Sequence, residues 1–315
     1  MRQTQALTRQ LHYQCELYNA ALEERKGAWN WEKRSVTFFD QCKTLTGLID
    51  ERPEVLSSGV SLCRGTLKRL DRAFAGFYRR VGTGENPGYP RFKSARCWDS
   101  LQWEDRNGWR FKGDERRLRL HGIGEVKMNY HRPVVGVPKA LTVKREGTKW
   151  WVSVRCVEVP AMPLAATGRE VGVDLGVVNL VALSDGELIE GSRFAERASE
   201  RLAIAQRSLA NKQRGSNRRS RQVQEVARLH RQVKQQRLNA AHQLSRRLVN
   251  EFDLIVLEDL KITSMVVRPR AKPDPENLGD FLASGSSSKA VLNRSIHDAG
   301  WGVNSTDRRN TALLN

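Results

Sequence analysis

The sequence predicts an α+β protein of three regions: helical over residues 1–82, built of short strands over 83–165, and mixed over 166–315. Three observations carry that division. Between Arg64 and Val81 the residues Leu67, Leu70, Phe74 and Phe77 recur at spacings of three and four, one apolar stripe along a helix. After the helix stop and turn cluster Gly82-Thr83-Gly84-Glu85-Asn86-Pro87-Gly88-Tyr89-Pro90, apolar residues alternate over short segments instead. Beyond Arg169, compact β-branched runs flank a long helical pattern.

Length and charge narrow the partners. The 315 residues suffice for two or three domains, and 39% apolar content is enough for a core. The net charge of +19 attracts polyanions, nucleic acid first and an anionic membrane surface second. The sequence contains no apolar stretch near the roughly 20 residues that cross a bilayer. The start Met1-Arg2-Gln3-Thr4-Gln5 has no apolar signal core, which points to a cytoplasmic protein. Cys15, Cys42, Cys63, Cys97 and Cys156 are odd in number, widely spaced and without a C-x-x-C pair. That pattern argues against a disulfide framework and a zinc ribbon, and for free, mostly buried thiols.

In the helical region, Lys68, Arg69, Arg72, Arg79 and Arg80 lie opposite the apolar stripe, equally suited to a solvated face and to nucleic-acid contact. In the strand region Arg117–Leu120 alternates, and Ala140 to Val159 reads as a hairpin turning at Arg145-Glu146-Gly147-Thr148. Its second arm puts Val152, Val154 and Cys156 on one face and Trp151, Ser153 and Arg155 on the other. Trp103, Trp109, Trp150 and Trp151 enrich the region and are more often core than base-stacking platforms. An antiparallel β-barrel or sandwich fits this pattern.

Pro160 to Arg169 reads as a linker. Val171–Leu175, Val178–Leu183 and the residues after the Asp185-Gly186 turn predict consecutive antiparallel strands. A helical pair follows from about Phe194 to Glu251, broken at Arg214-Gly215-Ser216-Asn217, with Val223, Val226, His230, Val233, Ala240 and Leu244 on one face. His230 on that stripe is expected at the edge of a core rather than on a metal. From Arg207 to Arg247 twelve Lys or Arg residues meet one acid, Glu225. A solvated face usually mixes signs, so Lys212, Arg214, Arg218, Arg219, Arg221, Arg228, Arg231, Lys234 and Arg237 are candidate phosphate contacts. Ser264 to Leu292, rich in Pro, Gly and Ser, predicts a mobile loop, and Asn293 to Gly302 a short helix.

Two apolar runs each carry a carboxylate: Val171-Gly172-Val173-Asp174-Leu175-Gly176 and Leu254-Ile255-Val256-Leu257-Glu258-Asp259-Leu260. Both read as buried strands, where an unpaired acid is costly and a divalent cation is one partner that offsets the cost. Carboxylates converging from adjacent strands are what metal-dependent phosphodiester hydrolysis needs, and magnesium suits all-oxygen ligands. The structural alternative is that Asp174 caps a turn at Gly176 and Glu258 caps the next loop. Spacing alone leaves both open.

The first run, extended through Val177-Val178-Asn179-Leu180 and followed by Ser184-Asp185-Gly186, resembles the first RuvC motif of TnpB proteins. These are the OrfB-type transposon-encoded nucleases related to type V CRISPR effectors. Ile255-Val256-Leu257-Glu258-Asp259-Leu260 resembles their second RuvC motif. Asn293-Arg294-Ser295-Ile296-His297-Asp298-Ala299-Gly300-Trp301-Gly302 resembles the helix that follows. Leu70-Asp71-Arg72-Ala73-Phe74 with Gly88-Tyr89-Pro90-Arg91-Phe92-Lys93 resembles the junction of helical lobe and barrel.

The resemblance implies a helical recognition lobe (1–82), a β-barrel wedge domain of oligonucleotide-binding type (83–165) and an RNase H-like RuvC domain (166–315). It implies a guide RNA, a target DNA and Mg2+, with no small-molecule substrate and no membrane. Asp174 and Glu258 would be the first two catalytic and metal-binding carboxylates. Arg91 and Lys93 join the basic helices as nucleic-acid contacts. The chain departs from the pattern at both ends. The resemblance starts near Thr4-Gln5, without the family's first strand, and past Gly302 neither a four-cysteine ribbon nor a third RuvC motif is evident. Asp307-Arg308-Arg309-Asn310-Thr311-Ala312 is a faint echo of that motif. With the third acid missing, the expectation is weak or absent cleavage; the alternatives are a guided binder or repressor that does not cut, and a decayed basic remnant that binds nucleic acid without a guide.

Overall fold

The stripe at Leu67, Leu70 and Phe74 is the buried face of a helix in a computed structural model of the chain, which describes residues 2–45, 47, 54, 57, 59–113, 116–131, 133–270 and 285–300. The chain divides into two compact units, Met1–Ala161 and Met162–Asn315. The boundary falls inside the predicted linker.

In the first unit, helix α1 (Arg2–Glu32) buries Leu7, Leu11, Cys15, Tyr18 and Leu22 at helical spacing. Helix α2 (Phe38–Thr44) opens with a capping box in which the Thr37 hydroxyl accepts from the Asp40 N–H (3.2 Å) and the Asp40 carboxylate accepts from the Thr37 N–H (3.0 Å). Helix α3 (Val60–Gly82) ends where the turn cluster begins. Its basic face is neither simply solvated nor free. Arg69 lies over the Trp98 ring (4.3 Å), Arg72 pairs with Glu104 (2.8 Å), and Arg80 donates to the Pro87 carbonyl (2.8 Å).

Six strands follow: β1 (Ser100–Trp103), β2 (Trp109–Lys112), β3 (Arg117–Leu120), β4 (Gly124–Lys127), β5 (Val137–Glu146) and β6 (Lys149–Val157). They form two antiparallel three-stranded sheets, β1-β5-β6 and β2-β3-β4, and among the described residues these do not close into a barrel. Closure is unnecessary because helices cover the apolar faces. Trp98, Leu101, Trp103, Leu118, Leu120, Leu141 and Val143 share one core with α1 and α3. Trp103 and Trp109 are core, Trp150 is half-buried against it, and Trp151 is 49% exposed on the outer face with Ser153 and Arg155. The predicted hairpin is β5–β6, turning at Gly147-Thr148.

Contact between α3 and β1 is close. A Cβ at Gly65 would stand 2.0 Å from the Gln102 carbonyl oxygen, so only glycine lets the helix lie on the strand.

In the second unit, β7 (Glu170–Leu175), β8 (Asn179–Leu183) and β9 (Leu188–Glu190) form the predicted antiparallel meander. Strand β10 (Leu254–Leu257) adds parallel to β7, giving the order β10-β7-β8-β9. Between them run helices α4 (Phe194–Ala210) and α5 (Asn217–Glu251), separated at the predicted break, with Ser216 as the α5 N-cap. Helices α6 (Ile262–Met265) and α7 (Ser286–Ala299) complete the described chain. The core holds Val171, Val173, Val181, Leu183, Leu248 and Phe252.

Two expectations change here. The buried stripe of α5 passes through Leu229 and Val233, while Val223 and His230 are exposed. Val233 of the predicted face is buried and Val226, Ala240 and Leu244 are half-buried, so that face holds except at Val223 and His230. Ser286, Ser287 and Ser288 form the first turn of α7 instead of a loop, and residues 271–284 lie outside the described residues. The echo at 307–312, Trp301 and Gly302 also lie outside them. No disulfide joins the five cysteines, with Cys15 and Cys63 buried and Cys97 exposed. Among the described residues no helix is long and apolar enough to cross a membrane.

Gly65→Ala should destabilise the chain by about 2 kcal/mol through overpacking. A thermal unfolding midpoint equal to that of the parent chain would contradict the α3–β1 contact.

Candidate functional site

The β7–β10 register ends one residue before Asp174 and one residue before Glu258. Leu254 pairs with Glu170, and the ladder ends with Leu257 opposite Val173. The next residue in each case is the carboxylate: Asp174 still lies in β7, and Glu258 is the first residue past β10. Side chains opposite each other in a parallel pair project to the same face. On β7, Val171 and Val173 point into the core and Asp174 to the open side.

The strands are not buried on both faces, as their composition suggested. Asp174 and Glu258 are both exposed, and β10 is an edge strand with Val256 58% and Leu257 45% exposed. Desolvation therefore supplies no argument for a partner, and the β7–β10 register beside the two acids is what remains. The turn after β7 closes through the backbone, with the Gly176 N–H donating to the Leu180 carbonyl (3.3 Å). A Cβ at Gly176 would meet the Asn179 carbonyl oxygen at 2.5 Å. Among the described residues the Asp174 carboxylate takes no part in that closure, and no group of three or more His, Cys, Asp or Glu side chains forms a metal-binding cluster.

A groove of ≈ 750 Å3 opens beside this strand end, walled by Gly176–Val178, the approach to α4 at Arg193 and the α7 residues Arg294 and Asp298. Arg193 precedes α4 in the left-handed region (φ 45°) and supplies no side-chain cap. The cap comes from α7 instead. The Asp298 carboxylate accepts from the backbone N–H groups of Ala195 (2.9 Å) and Glu196 (3.2 Å). It also accepts two bonds from Arg237 of α5, from Nε at 3.1 Å and Nη2 at 2.7 Å. Burial pushes the Asp298 carboxyl up, but the Ala195 N–H, Arg237 and the Glu196 N–H outweigh it and hold the group below the usual carboxylate range. One side chain thus ties α4, α5 and α7 together. Sequence reasoning gave Asp298 no role, although it stands inside the motif at 293–302.

The basic candidates divide into two sets. Arg237 faces Asp298. Arg219 donates to the Leu209 (2.8 Å) and Lys212 (3.0 Å) carbonyls at the α4 C-terminus, and Lys212 binds the Ser208 hydroxyl (2.6 Å). Arg228 makes a two-point pair with Glu225 at 2.8 and 2.6 Å. Arg214, Arg218, Arg221 and Lys234 are exposed, and Arg231 is half-buried. In the first unit, Arg91 and Lys93 are exposed, and the Lys93 backbone is pinned to α1 by Asn19 through two 2.8 Å hydrogen bonds.

With fold and site described, comparison with known proteins defines the class. Over 83% of this chain and 66% of the other, the fold matches a chain of the "Cryo-EM structure of the Cas12f1-sgRNA-target DNA complex", with a TM-score of 0.50 at 12% identity. The fold is thus Cas12f-like, α+β, with helices and several small sheets. Residues 154–268 match the family OrfB_IS605, described as "Probable transposase". A Streptomyces pristinaespiralis protein named "Putative RNA-guided DNA endonuclease" is 32% identical over 79% of this chain and 62% of its own length. A second, "Putative RNA-guided DNA endonuclease InsQ" of Escherichia coli K12, is 29% identical over 75% of this chain and 56% of its own length. Together these matches support a TnpB-type protein, and the aligned segment spans less than two thirds of these relatives' length.

Asp298→Ala should lower stability by about 2 kcal/mol, through the lost helix cap and the stranded Arg237. The folded carboxyl lies below its ordinary value of 3.8, so this stabilisation is complete above that pH and is lost as pH falls through the lower folded value. Urea titrations of Asp298→Asn should therefore show a shallower acid dependence than the parent as pH falls below about 4.

Proposed function

We propose that this chain is a transposon-associated, RNA-guided DNA-binding protein of the TnpB type whose RuvC-like region carries Asp174 and Glu258 as its first two catalytic acids. The observation that carries this reading is the parallel β7–β10 register, which ends one residue before each of those carboxylates. The relatives' names supply the substrate class. An antiparallel meander joined by a parallel fourth strand supports an RNase H-like domain over 166–315. Residues 83–165 then act as the wedge, without a closed barrel, and 1–82 as the recognition lobe.

Two hydrated carboxylates, one on β7 and one just past β10, are a donor set that fits magnesium, which takes one or two acids and keeps several waters. Bound there, the ion would activate water and stabilise the leaving oxygen of a phosphodiester. Asp174 and Glu258 hold it, and the exposed Arg214, Arg218, Arg221 and Lys234 meet backbone phosphates of an RNA–DNA hybrid. In such a complex the protein reads shape and pairing reads sequence. The protein works in the cytoplasm.

We take guided binding with weak or no cutting over efficient cleavage, and a cleavage assay separates the two. The deciding experiment isolates the chain from its host and sequences the RNA bound to it. A matched plasmid and Mg2+ are then supplied. The expected result is one defined RNA ending in a variable guide segment, guide-dependent DNA binding that weakens steeply with salt, and cleavage that is slow or nil. Any cutting should disappear in Asp174→Ala. Random RNA, or none, would overturn the guided reading.

A further inference from the structure

Parallel strands distant in sequence have no short turn to set their register, and a slip of one residue moves every side chain to the other face. A separate device is needed at the point where β10 enters beside β7. The residue before β10, Asp253, supplies it. Its two carboxylate oxygens accept from the Thr167 N–H at 2.9 and 3.0 Å, and one also accepts from the Gly168 N–H at 2.7 Å. The Thr167 hydroxyl donates a further bond at 3.0 Å. Consecutive backbone N–H groups converging on an anion make a nest, here filled by the chain's own carboxylate, with Gly168 at φ +67° allowing the curvature. The Asp253 N–H donates in return to the Arg169 carbonyl (2.8 Å). The Arg169 guanidinium covers the ring of Phe252 (4.5 Å), which is itself buried in the core. The Thr167 N–H, then the Gly168 N–H and the Thr167 hydroxyl, hold the Asp253 carboxyl below its usual range, so it is ionised wherever the protein works.

From that clamp the ladder runs Leu254 to Glu170 and onward to Leu257 opposite Val173. We infer that Asp253 is a positioning residue: by locking the entry of β10 onto residues 167–169 it holds Glu258 level with Asp174, so that both carboxylates can reach one divalent cation. The inference rests on the reading of that pair as cation ligands.

The test uses the full chain with Mn2+ as probe, free Mn2+ being read by its electron spin resonance signal. Four variants are compared: Asp174→Ala, Asp253→Ala, Asp253→Asn and Leu248→Ala. Leu248 lies in the same core but outside the clamp, so it reports what lost stability alone does to the site. Asp174→Ala should abolish the saturable site. Asp253→Ala should weaken it by about tenfold or more, as loss of an orienting partner does. Asp253→Asn, which keeps one acceptor oxygen, should fall between and serves if the alanine variant does not fold. Leu248→Ala should keep the parent affinity while unfolding at lower temperature. Parent affinity in both Asp253 variants, with Asp174→Ala inactive in binding, overturns the positioning role alone. An equal loss in Leu248→Ala also overturns it. Binding unaffected by Asp174→Ala overturns the carboxylate reading itself.

Discussion

The pairing of β10 alongside β7 is the constraint from which the second unit follows. A parallel neighbour requires the chain to travel the length of the sheet and return, and here the return passes through β8, β9 and the α4–α5 hairpin. Phe252 brings the end of α5 into the sheet's core beside Val171 and Val173, next to Asp253 and β10. The hairpin must itself be steadied. Arg247 near its end makes a two-point pair with Glu187 after β8 (2.8 and 2.7 Å), and Asp298 gathers α4, α5 and α7. Both contacts join elements distant in sequence, so the geometry of the acids depends on groups far from them in the chain.

The first unit solves a different problem. Two small sheets of short strands bury too little by themselves, and α1 and α3 supply the missing layer. The helices are joined by buried polar groups that satisfy one another. Thr66 donates to Gln14 (2.6 Å), and Arg25 donates to Gln41 (2.9 Å) while lying over the Phe74 ring (5.1 Å). Burial pushes the Cys63 thiol up to about 11, which leaves it an inert packing group.

Charge serves both units in two ways. Much of the positive excess is not free to meet a polyanion: Arg69 and Arg72 bind helix to strand, Arg219 caps a helix end, and Arg237 holds a carboxylate. The remainder, on the exposed side of α5 and the turn before it, is what a phosphate backbone would meet. The carboxylates are similarly placed at an open edge, where a large substrate can reach them and water remains available to a hard cation.

Local pattern determined a good deal of this protein. The α3 stripe, the β5–β6 and β8–β9 hairpins, the α4–α5 break at 214–217 and the two strands that carry Asp174 and lead to Glu258 were all legible, because periodicity and turn residues act within a few positions. Tertiary structure alone decided the rest. Helices rather than strand closure cover the sheets, β10 is an exposed edge rather than a buried strand, and the stripe of α5 runs through Leu229 instead of His230. The fates of Arg237, Asp253 and Asp298 were also hidden, since each acts through a partner brought near by folding. A charged residue's sequence neighbourhood shows that it carries charge, but only the packed chain shows whether that charge meets solvent, a helix end or another side chain.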